Sequence, residues 1–119
     1  MNNKDFSKRM EKRTKQFAIS IIRISASLAF STESKVIKNQ ITKSATSIGA
    51  NYREANRARS IADFSNKIKI CESEANETLF WLEIIEDLHW VEIEKIRSIY
   101  KEAKEILAIY TSIGKKLKH

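Results

Sequence analysis

The chain has no proline, and its only glycines are Gly49 and Gly114. Sheet proteins reverse direction often, and tight turns draw on those two residues. A 119-residue chain so short of both, with 42% hydrophobic and 31% charged side chains, is directed toward long helices and short connections. That length fits one domain, spanning residues 1–119, and is enough for a real core.

Apolar spacing places four helices. Phe6, Met10, Phe17, Ile21, Ile24 and Leu28 share one face of a helix from about Lys4 to Phe30. Ser31 or Thr32 can cap the next helix, with Glu33 favourable at its positive end. Ile37, Ile41, Ser44, Ala45, Ile48, Tyr52 and Ala55 form the inward stripe of that second helix, which is expected to end near Arg59. Small side chains dominate its middle, so a neighbouring helix can come close. Ser60-Ile61-Ala62-Asp63 has the spacing of a capping box, with aspartate in place of glutamate. Ile61, Phe64, Ile68, Cys71, Ala75, Leu79, Leu82 and Ile85 then line helix three. Val91, Ile93, Ile96, Ile99, Tyr100, Ala103, Leu107 and Tyr110 are the apolar positions of helix four. Gly114 is expected as its C′ residue, ahead of a basic tail at 115–119. Short connections make this an all-α, antiparallel up-down-up-down four-helix bundle.

The formal charge is +7, unevenly spread. Residues 4–23 carry seven basic and two acidic side chains, and residues 33–59 carry six and two. Residues 60–89 reverse this, with two and seven. Such asymmetry points to nucleic acid, RNA or DNA, or to another anionic surface. Lys4, Lys8, Arg9, Lys12, Arg13 and Lys15 form a basic run that Asp5 and Glu11 do not match in number. Arg53, Arg57 and Arg59 close helix two. Phe6 and Phe17 lie on the apolar face, so base stacking is not expected from helix one, and binding should be electrostatic and weakly sequence-selective.

Nothing assembles a catalytic set, so the chain reads as non-enzymatic, with no cofactor. His89 and His119 fall in a loop and in the tail, and phosphate-cradling loops need more glycine than this chain has. Cys71 sits on an apolar stripe, where a buried thiol is the default. It cannot form an internal disulfide, which fits a reducing, cytoplasmic setting. The apolar stretch from Phe17 to Phe30 is broken by Arg23 and serines, too short and polar for a membrane span. Glu72, Glu74 and Glu77 are the acidic group most able to hold a metal, but ion pairing with the arginines of helix two is favoured and no metal is expected. Asn51 borders the packed face and is read as a structural lock, with Glu54 and Glu77 as neighbours. Trp81, Ile84 and Leu88 form a second apolar strip on helix three, beyond what one bundle needs. Surplus apolar surface marks an association face, so a homo-oligomer is expected.

The strings Ser47-Ile48-Gly49-Ala50-Asn51-Tyr52-Arg53-Glu54-Ala55, Arg57-Ala58-Arg59-Ser60, Ala62-Asp63-Phe64 and Glu74-Ala75-Asn76-Glu77-Thr78-Leu79-Phe80-Trp81-Leu82-Glu83 occur in this order. In them the chain resembles the four-helix bundle family named for 23S rRNA intervening-sequence proteins. The resemblance implies an antiparallel four-helix bundle assembling into a homopentameric, funnel-like ring. Some family members are encoded inside intervening sequences of large-subunit rRNA genes. A related branch, the accessory proteins of diversity-generating retroelements, has a basic pentamer that binds nucleic acid and a reverse transcriptase. The resemblance brings no enzymatic activity. The alternative it leaves is a protein-interaction scaffold for a nucleic-acid enzyme such as a reverse transcriptase.

Overall fold

The computed structural model describes residues 4–117, so Lys118 and His119 of the expected tail lie outside the described residues. Four helices run in order: α1 (Lys4–Ser27), α2 (Thr32–Ala55), α3 (Ile61–Asp87) and α4 (Ile93–Lys116). No strand occurs among the described residues. Cross-helix contacts fix an antiparallel register. Ser25 meets Thr42 at one end of α1 and α2, while Glu11 meets Asn56 at the other. Thr78 meets Ser44 between α3 and α2, and Glu72 and Glu83 meet Thr111 and Tyr100 on α4. The bundle measures 44 × 24 × 22 Å. α1 packs extensively on α2 and only thinly on α4, which leaves a seam between the first and last helices.

Serines set two of the helix starts. Ser31 Oγ accepts from the Ser34 backbone N–H at 2.9 Å, and Ser34 Oγ accepts from the Ser31 N–H at 2.9 Å. This is a full capping box built from two serines, and it satisfies two orphan donors. Ser60 Oγ accepts from the Asp63 N–H at 3.0 Å. The Asp63 carboxylate reaches back to the Arg59 N–H at 3.4 Å, so that box closes on the preceding residue.

Three expected boundaries move. α1 stops at Ser27, whose hydroxyl donates to the Ile24 carbonyl at 2.7 Å, and Phe30 lies in the connection. α2 stops at Ala55 rather than near Arg59. The chain must reverse before Ser60, so Arg57 and Arg59 belong to the α2–α3 loop. Gly114 is not a C′ residue: α4 continues through it to Lys116, without positive φ. The left-handed position falls instead at His89 (φ 57°), in the α3–α4 loop. A non-glycine residue there costs about 1 kcal/mol or more.

Gly49 of α2 faces Thr14 of α1 at close range. A Cβ on Gly49 would lie 3.1 Å from Thr14 Oγ1. Thr14 is fully buried, and its hydroxyl donates to the Met10 carbonyl at 2.9 Å. Gly49→Ala should therefore leave stability within about 1 kcal/mol of the parent, helix propensity offsetting the clash. In a Thr14→Ala background, the same Gly49 change should turn stabilising by up to about 1 kcal/mol, read as a double-mutant cycle from urea midpoints.

Candidate nucleic-acid interface

The predicted cations do not share one fate. Lys4, Lys8, Lys12 and Lys15 lie on the outer side of α1, exposed, with Arg9 beside them. Arg13 turns inward. Its Nε lies 2.7 Å from Glu102 Oε2, and its Nη2 lies 2.7 Å from both Glu102 Oε1 and Glu105 Oε1. The hydrogen bond to Glu102 raises the guanidinium pKa further above its already high value, against the opposing effect of burial. The run is thus matched by acids at Arg13, supplied by α4 and invisible within α1. Arg13 is a clasp across the thin α1–α4 seam, and it leaves the set available to a polyanion.

Arg53 is also engaged. Its Nε lies 3.6 Å from Glu11 Oε1, and Glu11 Oε2 accepts from Asn56 Nδ2 at 2.8 Å. This corrects the expectation that α3 carboxylates neutralise the α2 arginines. Arg53 faces α1, while Arg57 and Arg59 have left the helix. The α3 acids have other partners. Glu72 accepts from the Thr111 hydroxyl at 2.7 Å, and Glu77 accepts from Trp81 Nε1 at 3.1 Å. Burial raises the Glu74 carboxyl, nearby Glu77 raises it further, and Lys43 opposes both. Among the described residues no group of three His, Cys, Asp or Glu side chains converges to hold a metal.

Asn51 departs from its expected role. It is half-buried, and its Nδ2 donates to the Ser47 carbonyl of its own helix at 2.8 Å. Glu54 is exposed. Asn56, which sequence reasoning passed over, is the asparagine that ties two helices together through Glu11. Cys71 is fully buried, as its stripe implied, with Sγ 3.5 Å from the Ile48 carbonyl. Burial pushes its thiol up to about 12. Burial likewise raises the Tyr52 and Tyr110 hydroxyls. An acid held neutral by the fold ionises first in the unfolded chain. Cys71 therefore contributes stability that is present below pH 9 and lost as pH rises from 9 to about 12. We expect the native thiol to resist a thiol-specific chromogenic reagent at pH 8 and to react at once in denaturant. Urea midpoints should fall by an amount equivalent to a few kcal/mol over that pH window.

Of the predicted cations without an ion pair among the described residues, four gather at one end of the bundle. In this topology α1 and α3 begin where α2 and α4 finish. Lys4 and Lys8, one turn apart on α1, thereby meet Arg57 and Arg59 of the α2–α3 loop around an open groove of about 1000 Å³. None of these four makes an ion pair among the described residues. Lys115 and Lys116 close α4 at the same end. At the opposite end Glu33, Glu83, Glu86, Asp87, Glu92 and Glu94 offset Lys35, Lys95 and Arg97, with Arg97 Nε 3.8 Å from Glu86 Oε2. Charge is thus polarised along the 44 Å axis. A second groove, of about 520 Å³, runs along the α1–α4 seam, with Arg9, Lys12 and Arg13 over Phe17 and Ile99.

The apolar strip lies on the outer side of α3. Trp81 and Ile84 are half-buried, and Leu88 is 50% exposed. Phe80 belongs with them: it is 52% exposed and meets the Trp81 ring edge-on, with centroids 4.9 Å apart. Phe80, Ile84 and Leu88 are spaced by four, a signal that could have found it.

Three comparisons bear on this arrangement. The model of the family described as 23S rRNA-intervening sequence protein matches residues 8–112. A crystal structure of a protein of unknown function, from the S23 ribosomal protein family of Bacteroides thetaiotaomicron VPI-5482, superposes with a TM-score of 0.83 at 39% identity. The match covers 89% of this chain and 98% of that one. No curated protein matches the chain.

Proposed function

The chain belongs to the 23S rRNA-intervening sequence protein family, and on that premise we propose that it is a non-enzymatic, homo-oligomeric bundle that binds nucleic acid through its basic end. The observation that carries this reading is the convergence of Lys4, Lys8, Arg57 and Arg59, all without ion pairs among the described residues, on one groove. Cations already neutralised inside a fold release no counterions when a polyanion arrives; free ones do. Arg13 and Arg53 are therefore secondary, and Arg9, Lys12 and Lys15 extend the positive surface along α1. The exposed apolar strip of α3 supports self-association. In an assembly of five, the number the family resemblance implies, the basic ends act together and a long strand can engage several at once.

Fluorescence anisotropy with RNA, single-stranded DNA and duplex DNA tests this. Affinity should be measurable at about 50 mM salt and fall steeply, log-linearly, as salt rises toward about 200 mM. Absence of binding to all three at the lower concentration would overturn the proposal. Among the described residues no helix is long and apolar enough to cross a membrane.

A further inference from the structure

The groove at the basic end has more than charge in it. Ile61, the first residue of α3, is 77% exposed, off the inward stripe on which its spacing places it. Phe64 follows one turn later, half-buried, and both line the groove with the four cations. A purely electrostatic surface needs no such wall. The cations come from two separate segments of chain, α1 and the α2–α3 loop, and line the same groove as the two apolar side chains.

We propose that this groove takes an unpaired polynucleotide strand in preference to a duplex, phosphates on the Lys4, Lys8, Arg57 and Arg59 rim and a base against Ile61 and Phe64. The inference rests on the nucleic-acid reading above and adds the form of the ligand. Charge complementarity selects a polyanion. The apolar wall then selects among polyanions, because a duplex keeps its bases stacked inside and presents only phosphate and sugar to a shallow end groove. An unpaired strand can turn a base out and lay it on an aromatic or aliphatic side chain. The size is suitable: small-molecule sites run to roughly 1,000 Å³, which leaves room for one or two nucleotides in a groove of about 1000 Å³. Sequence reasoning discounted stacking because the aromatics of α1 point inward. The aromatic in question comes from α3, and only the folded bundle brings it beside the α1 lysines.

Electrostatics alone predicts the opposite preference, since a duplex carries the denser charge and the steeper salt dependence. That makes the test sharp. Three probes of equal length would be compared by anisotropy at one salt concentration: an oligothymidylate, the same strand annealed to its complement, and a strand of the same charge with abasic sites throughout. An oligouridylate of that length, run beside them, carries the comparison to RNA. The intact protein should bind the unpaired strands best and the abasic strand about tenfold more weakly, the loss of a stacked base. Ile61→Ser and, separately, Phe64→Ala should bring the base-bearing strand down toward the abasic one while leaving the abasic strand unchanged. Ile61 is exposed enough that its variant will fold even if Phe64→Ala does not. Equal affinity for abasic and base-bearing strands, or tighter duplex binding, overturns this inference and leaves nucleic-acid binding intact. Failure to bind any probe overturns the reading beneath it.

Discussion

Replacing Lys4, Lys8, Arg57 and Arg59 together by alanine should weaken binding to a single strand by at least about a hundredfold at 100 mM salt. The slope of log affinity against log salt should flatten by about three. The arithmetic follows from counterion release: each phosphate contact on a single strand contributes roughly 0.7 to that slope, and four contacts are removed. Folding should be untouched, because all four side chains are exposed and none makes an ion pair among the described residues. The control is a variant with the same loss of formal charge elsewhere. Lys35 and Lys95 lie in the first turns of α2 and α4, at the acidic end, and Lys38 and Lys101 lie farther along those helices. Alanine at these four positions should leave the slope nearly unchanged. If both variants lose affinity equally, net charge rather than the groove governs binding. A single Arg13→Ala should behave differently again. It releases Glu102 and Glu105 from their partner, loosening the α1–α4 seam with little change in the salt slope.

The helices were readable because few residues contradicted their spacing. Ser31 and Ser60 mark starts by a local mechanism, a side-chain oxygen facing backbone donors two or three residues on. The end of α2 was not readable from its arginines. Positive charge suits a helix C-terminus at any of the last several positions, and the cap that follows Ala55, Asn56, has its partner Glu11 on another helix. The left turn at His89 carried no glycine or asparagine to announce it. Arg13 illustrates the larger difficulty. Its partners lie 89 and 92 positions away, and periodicity gives faces of helices but not which face meets which. The same limit led to the expectation of α2–α3 ion pairs. By contrast, the meeting of Lys4 and Lys8 with Arg57 and Arg59 was implicit in the up-down order, which sends the start of α1 and the end of α2 to one end. The place of Phe64 beside them was not, because its spacing reads as core.

Phe80→Glu should convert the proposed assembly to a folded monomer, read as molar mass by light scattering with helical circular dichroism retained. Phe80 is the right position because it is 52% exposed in the lone chain. The substitution removes an edge-on contact with Trp81 but empties no core site, whereas Trp81→Glu would disturb both the strip and the half-buried packing beneath it. Within an interface the new carboxylate would be desolvated beside the existing Glu77, with no cation in the strip to receive it. Such a burial costs several kcal/mol. An assembly of micromolar affinity is held by about 8 kcal/mol, so that penalty shifts it to monomer at ordinary concentrations. An unchanged mass would place the contact elsewhere, and the strip would then be surplus apolar surface of a different purpose. The monomer also separates two contributions to binding. A strand short enough to occupy one groove should bind monomer and assembly alike. A long strand should favour the assembly by a factor of about 100 or more, because each additional basic end is engaged at the effective concentration set by the first.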